Sequence, residues 1–109
     1  MKTQNKVQLI GYVGTDLIIE ILTSGTKKVR IRVATHYPIL NENKETQWAT
    51  TWHNVVAIEE KADHVVNNFS KGSHILVEGT LHYYSFIDRQ GIMHHMTEIK
   101  GLYFLNLDR

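Results

Sequence analysis

Cysteine is absent from the chain, which rules out a disulfide framework and any thiolate metal site and fits a reducing, cytoplasmic setting. Proline occurs once, at Pro38, and no low-complexity tract marks a linker. No apolar run approaches the roughly 20 residues that cross a bilayer. The basic residue near the N-terminus has no apolar stretch behind it, so neither a signal peptide nor a membrane segment is expected. Charge of one sign is also lacking: 12 Lys and Arg against 11 Asp and Glu leave a formal net charge of +1. That balance excludes a polybasic protein holding duplex DNA by charge alone, while allowing a groove lined locally by cations. With 109 residues and no internal repeat, residues 1–109 read as one domain with a single core.

What is present is an unusual pair. Trp48 and Trp52 lie in Gln47-Trp48-Ala49-Thr50-Thr51-Trp52-His53-Asn54-Val55-Val56, where paired threonines and valines favour a strand over a helix. Alternate strand residues share a face, so Trp48, Thr50, Trp52 and Asn54 project together, opposite Ala49, Thr51, His53, Val55 and Ala57. Two large aromatics on the polar face suggest a surface meant to be covered. Four residues of strand separate them by about 13 Å, a spacing for two flat groups on an extended polymer. A strand tryptophan is more often core or subunit interface than binding platform, so the rest of the chain has to decide.

Most of that chain reads as strands. Val7, Leu9 and Val13 alternate with Gln8, Ile10 and Tyr12, apolar enough for cover on much of both faces, and Gly11 predicts a bend or bulge. Leu17 to Leu22 continue this strand or start another. From Lys27 to Thr35, Val29, Ile31 and Val33 are assigned to the core and Lys28, Arg30 and Arg32 to the outside. Pro38 to Thr46 read as a long polar loop with Lys44 near its tip. The one helix spans 58–70, with Ala62, Val65, Val66 and Phe69 at helical spacing and Lys71-Gly72 as its stop. A strand from His74 to Phe86 puts Ile75, Val77 and Leu81 on one face and Glu78, Thr80, His82, Tyr84 and Phe86 on the other. Asp88-Arg89-Gln90-Gly91 turns it, and Ile92 to Asn106 return. An all-β, five-stranded Greek-key barrel with one short helix between its third and fourth strands is the OB-fold arrangement, a general binding scaffold.

Catalytic constellations are missing. The histidines are scattered, and His94 and His95 point to opposite faces of a strand; His82, Tyr84 and His94 across a hairpin lack a carboxylate partner for metal. No serine sits in a nucleophile elbow and no carboxylate pair has catalytic spacing. Gly11-Tyr12-Val13-Gly14 resembles half a phosphate loop, but no Gly-Lys-Ser/Thr follows. No enzyme, metal or cofactor is expected. Binding is different: Lys28, Arg30, Arg32, Lys44, Lys71 and Arg89 accompany Trp48, Trp52, Tyr84 and Phe86. Single-stranded nucleic acid wants this mixture, because cations attract its phosphates and aromatics stack its unpaired bases. Taken singly, each cation is better explained by solvation and each aromatic by an interface; the combination on an OB-type order of elements favours nucleic acid.

Asn5-Lys6-Val7-Gln8-Leu9-Ile10-Gly11-Tyr12-Val13-Gly14-Thr15-Asp16 resembles the opening of the bacterial single-stranded DNA-binding protein family. Val33-Ala34-Thr35, Thr51-Trp52-His53-Asn54-Val55-Val56, Phe69-Ser70-Lys71-Gly72-Ser73 and Val77-Glu78-Gly79-Thr80-Leu81 match in order after it. The resemblance implies an OB-fold that binds and protects single-stranded DNA without sequence preference in replication, recombination and repair. It also implies a homotetramer, a dimer of dimers. Trp52 and Phe86 fall on the family's stacking aromatics, Tyr37 or Ile39 on a third, and His53 on a subunit contact, to which Val7 and Leu9 are also assigned. A further family phenylalanine is replaced at Ala57 and Ile58, which implies weaker binding. The chain ends at Leu107-Asp108-Arg109 without the family's linker and acidic tip, which argues against tail-mediated partner recruitment. A tail-less OB-fold interaction module of a primosome or replication complex stays the alternative.

Overall fold

The computed structural model describes residues 1–108. The alternating segments form β1 (Val7–Val13), β2 (Ile18–Ile21), β3 (Lys27–Leu40), β4 (Thr46–Ile58), β5 (His74–Ile87) and β6 (Met93–Asn106), with α1 (Glu60–Asn68) between β4 and β5. The sheet order is β1-β5-β6-β4-β3-β2, and an added β1–β3 pairing closes it. Every neighbouring pair is antiparallel except β4–β6, which run parallel at Val55↔Ile99 and Val56↔Lys100. β2 flanks β3 outside the closure, so the barrel is the expected five-stranded OB-fold with a short extra edge strand. Closure demands that β1 hold β5 on one edge and β3 on the other, and Tyr12 pairs with both His74 and Ala34. Beside it lies Gly11, where a Cβ would collide with the Ala34 carbonyl oxygen. Only glycine permits that approach.

The core follows the period-two pattern. Val13, Val29, Ile31, Val33, Val55, Ala57, Ile75, Val77 and Ile99 fill the barrel, and Ala62, Val65 and Phe69 of α1 plug one end against Phe104. The helix is shorter than the 58–70 expected. Ile58 stays in β4, paired with Lys28, and the Glu59 N–H donates to the Lys27 carbonyl before α1 begins. At the other end the Phe69 N–H closes the last turn on Val65.

The long loop expected from Pro38 to Thr46 is mostly strand. β3 and β4 pair continuously from Lys28↔Ile58 to Leu40↔Thr46, leaving a turn of Asn41 to Glu45. Asn41 Oδ1 accepts from the Asn43 and Glu45 N–H groups, and the Asn41 N–H donates to the Glu45 carbonyl. Counting back from that bond, Pro38 opposite Trp48 is a non-hydrogen-bonded pair, so its missing N–H interrupts nothing. Polarity alone was a misleading sign of a loop here, because this arm extends past the barrel and both its faces meet solvent. The β5–β6 pair is a second long arm, ending in the Asp88–Gly91 turn.

Candidate nucleic-acid interface

Register decides which side chains meet. In the β3–β4 arm the outward pairs are Arg30↔Val56, Arg32↔Asn54, Ala34↔Trp52, His36↔Thr50 and Pro38↔Trp48. Trp48 and Trp52 therefore share a face with Arg30 and Arg32, and Trp48 is the more exposed at 68% against 45%. Trp52 is the better held. Its indole lies over Gly14, in space a Cβ there would need, and the Arg32 guanidinium sits 4.9 Å from its ring centroid. A cation over an indole face is attracted by the ring quadrupole.

Arg30 joins this face to the other arm. Its Nε donates to Glu20 Oε1 at 2.8 Å, and the Tyr84 side chain lies close enough to favour its charge. Burial works against the Arg30 charge, but the nearby Tyr84 and Glu20 outweigh it and push its pKa up. Tyr84 stacks on Phe86 with centroids 6.5 Å apart, and Phe86 stacks on His94 at 5.0 Å with planes 17° apart. The result is a continuous track, Trp52–Arg32–Arg30–Tyr84–Phe86–His94, crossing β4, β3, β5 and β6. Trp48 extends it outward along β4.

The remaining expected contacts scatter. Lys28 lies on the outward face of β3 opposite Glu20 and Ile58. Lys44, with a left-handed φ of 60°, and Arg89 occupy the tips of the two arms. Lys71 precedes Gly72, whose N–H donates to the Val13 carbonyl beside Gly14, so this turn borders the Trp52 end of the track. Tyr37 pairs with Ala49 on the opposite face of the arm from both tryptophans, and Ile39 shares that face. An odd separation from Ala34 puts Tyr37 there, so it does not join the track.

His53 is half-buried on the inward face, sharing a 2.9 Å hydrogen bond with Thr35 Oγ1; burial lowers its pKa. Val7 and Leu9 point into the barrel and pack on the core, while the outward residues of β1 are Gln8, Ile10 and Tyr12. Ile10, Leu76 and Leu105 line up across β1, β5 and β6, and Tyr12 stacks on His74 at 4.7 Å. Among the described residues no three of His, Cys, Asp and Glu gather in a metal-holding group, and no helix is long and apolar enough to cross a membrane.

Sequence reasoning counts Arg32 among the cations suited to nucleic acid but gives it no place, although its position diagonal to Trp52 follows once Arg30 and Val56 are paired. His94 was weighed only as a metal ligand. Counting out from the Asp88–Gly91 turn pairs Ile87 with Met93 and Phe86 with His94, which the turn signature alone allows.

Residues 4–103 match the profile of the Single-strand binding protein family. The chain is 38% identical over 102 residues to a single-stranded DNA-binding protein 1 of Xylella fastidiosa, covering 91% of this chain and 74% of that protein. It is 34% identical over 98 residues to a single-stranded DNA-binding protein of Bacteroides thetaiotaomicron, covering 87% of this chain and 60% of that one. Among solved structures, the Plasmodium falciparum SSB in complex with ssDNA superposes with a TM-score of 0.83 at 30% identity, covering 99% of this chain and 98% of that one. A Thermus aquaticus single-stranded DNA binding protein variant, at 19% identity and a TM-score of 0.79, shares the fold. With the matched profile spanning nearly the whole barrel and both arms, the chain belongs to the single-strand binding protein family.

Proposed function

We propose that this protein binds single-stranded DNA without sequence preference, keeping bases stacked and phosphates screened during replication, recombination and repair. The observation that carries this is the continuous track from Trp52 through Arg32 and Arg30 to Tyr84 and Phe86. A backbone of phosphates follows cations, and π-faces accept any base, so the mixture suits an unpaired strand and gives no base-edge code. Trp48, Lys28, Lys44, Lys71 and Arg89 extend the surface at its ends. Nothing covalent is asked of the protein.

Assembly as a homotetramer is part of the same proposal. Its support is the outward apolar row Ile10–Leu76–Leu105 beside Tyr12, since contiguous apolar patches on a protein surface mark contacts with other molecules.

Titration of oligo-dT against intrinsic tryptophan fluorescence tests the proposal. Quenching is expected at low salt, with log affinity falling linearly in log salt by about 0.7 per phosphate neutralised. Trp52→Ala should weaken binding by about tenfold, the loss of one stacked base. Absence of quenching and of binding at low salt would overturn the proposal. Unchanged DNA affinity in Trp52→Ala with altered self-association would favour an OB-fold interaction module instead.

A further inference from the structure

Phe86 has neighbours on the ring faces a base would use. Tyr84, two residues earlier on the same face of β5, stacks at 6.5 Å, and His94, directly opposite on β6, stacks at 5.0 Å. The Tyr84–Phe86–His94 column therefore ends in an imidazole. That imidazole is fixed by the turn: His94 Nε2 lies 2.7 Å from Asp88 Oδ2, while Asp88 Oδ1 accepts from the N–H groups of Gln90 and Ile92. One carboxylate thus shapes the hairpin and orients the last ring of the column.

We propose that His94 is a DNA-contacting residue of this arm, a stacking ring whose protonation tunes affinity for single-stranded DNA. This deepens the single-strand binding reading and rests on it. The charges facing His94 set the sign. Asp88 is the near one, and its bond to His94 together with the backbone donors holds its carboxyl below the usual range, so it is ionised at neutral pH. Beyond Phe86 in the column stand Tyr84 of β5 and, close to it, Arg30 of β3, itself paired with Glu20 of β2. With His94 neutral, the column ends beside a bare carboxylate that repels phosphate. With His94 protonated, the pair is neutral, the repulsion is cancelled, and the imidazolium offers its remaining face to a base as a stacking cation.

The test uses the full chain and oligo-dT carrying a pH-insensitive dye, followed by anisotropy from pH 8 to 5.5 at constant ionic strength. Wild type should tighten by about threefold to tenfold, as one local charge allows. His94→Phe keeps a ring in the column but no ionisable nitrogen, so its affinity should change far less between pH 8 and 5.5 than that of wild type. Asp88→Asn keeps an oxygen for the turn and should bind tighter than wild type at pH 8. Both variants are checked for cooperative melting, and the Asp88→Asn readout stands if His94→Phe is unfolded. A wild-type affinity independent of pH, or a full wild-type pH profile in His94→Phe, overturns the role of His94. Failure of wild type to bind at any pH overturns instead the single-strand reading on which it rests.

Discussion

The Trp52 indole lies over Gly14, where the six-membered ring fills the volume a Cβ on that glycine would need. The turn after β1 and Trp52 of β4, the proposed stacking residue, are thereby one unit. A glycine that a sequence reading treats as turn punctuation is here the floor under an aromatic platform. Gly14→Ala should push the ring off that floor. We expect about 1–3 kcal/mol of destabilisation from overpacking and a loss of DNA affinity of about tenfold if the ring leaves its stacking position. Thermal melting and the tryptophan emission maximum report the two effects. Unchanged emission and unchanged affinity would show that the platform does not depend on Gly14.

Arg32 over Trp52 does two jobs that substitution separates. Its planar guanidinium covers the indole at 4.9 Å from the centroid, and its charge is available to phosphate. Arg32→Lys keeps the charge and loses the flat contact, so the salt dependence of binding should persist while stability falls by about 0.5–1 kcal/mol. Arg32→Ala should lose the same stability and also reduce the salt slope by about 0.7. A salt slope that is the same in all three proteins would remove Arg32 from the phosphate contacts.

The barrel was legible because its core residues alternate without interruption: Val29, Ile31 and Val33 on β3 and Ile75 and Val77 on β5 are the inward sets the pattern predicts. The arms were less legible. Beyond the barrel neither face of β3–β4 is buried, so Pro38, Ile39 and Leu40 carry no alternation, and the strand signal fades although the ladder continues to Leu40↔Thr46. The site residues split in the same way. Trp48 and Trp52 on one face follow from period two, whereas the approach of Arg30 to Tyr84 joins strands that are not neighbours in sequence or in the sheet. Local pattern holds no signal for such a meeting. Val7 and Leu9, assigned by resemblance to a subunit contact, point inward because they share the parity of Gly11 and Val13.

His53 links stability to pH. Burial lowers its pKa from 6.5, so the unfolded chain takes up the proton first and stability rises with pH in that window. The contribution is complete above about pH 6.5, is lost as pH falls through the folded-state value, and levels off below it. Melting temperatures from pH 7.5 to 5 should therefore decline. His53→Gln, which retains a partner for Thr35 Oγ1, should lower the curve at neutral pH and flatten its acid limb. An acid limb as steep in His53→Gln as in wild type would assign the effect to other groups.

Ile10 provides the sharpest test of assembly, because its side chain is outward and 55% exposed while the inward residues beside it pack on the core. Ile10→Glu places a carboxylate in the middle of the Ile10–Leu76–Leu105 row without touching the barrel interior. In an isolated chain that substitution lies in water and should leave the melting transition within about 0.5 kcal/mol of wild type at low concentration. In an assembly it would bury a charge against apolar surface, which a subunit contact resists strongly. Light scattering should show a tetramer for wild type at micromolar concentration and a smaller species for Ile10→Glu, with oligo-dT affinity per chain reduced less than self-association. A wild-type monomer would dismiss the tetramer, and a tetrameric Ile10→Glu would place the contact on another face.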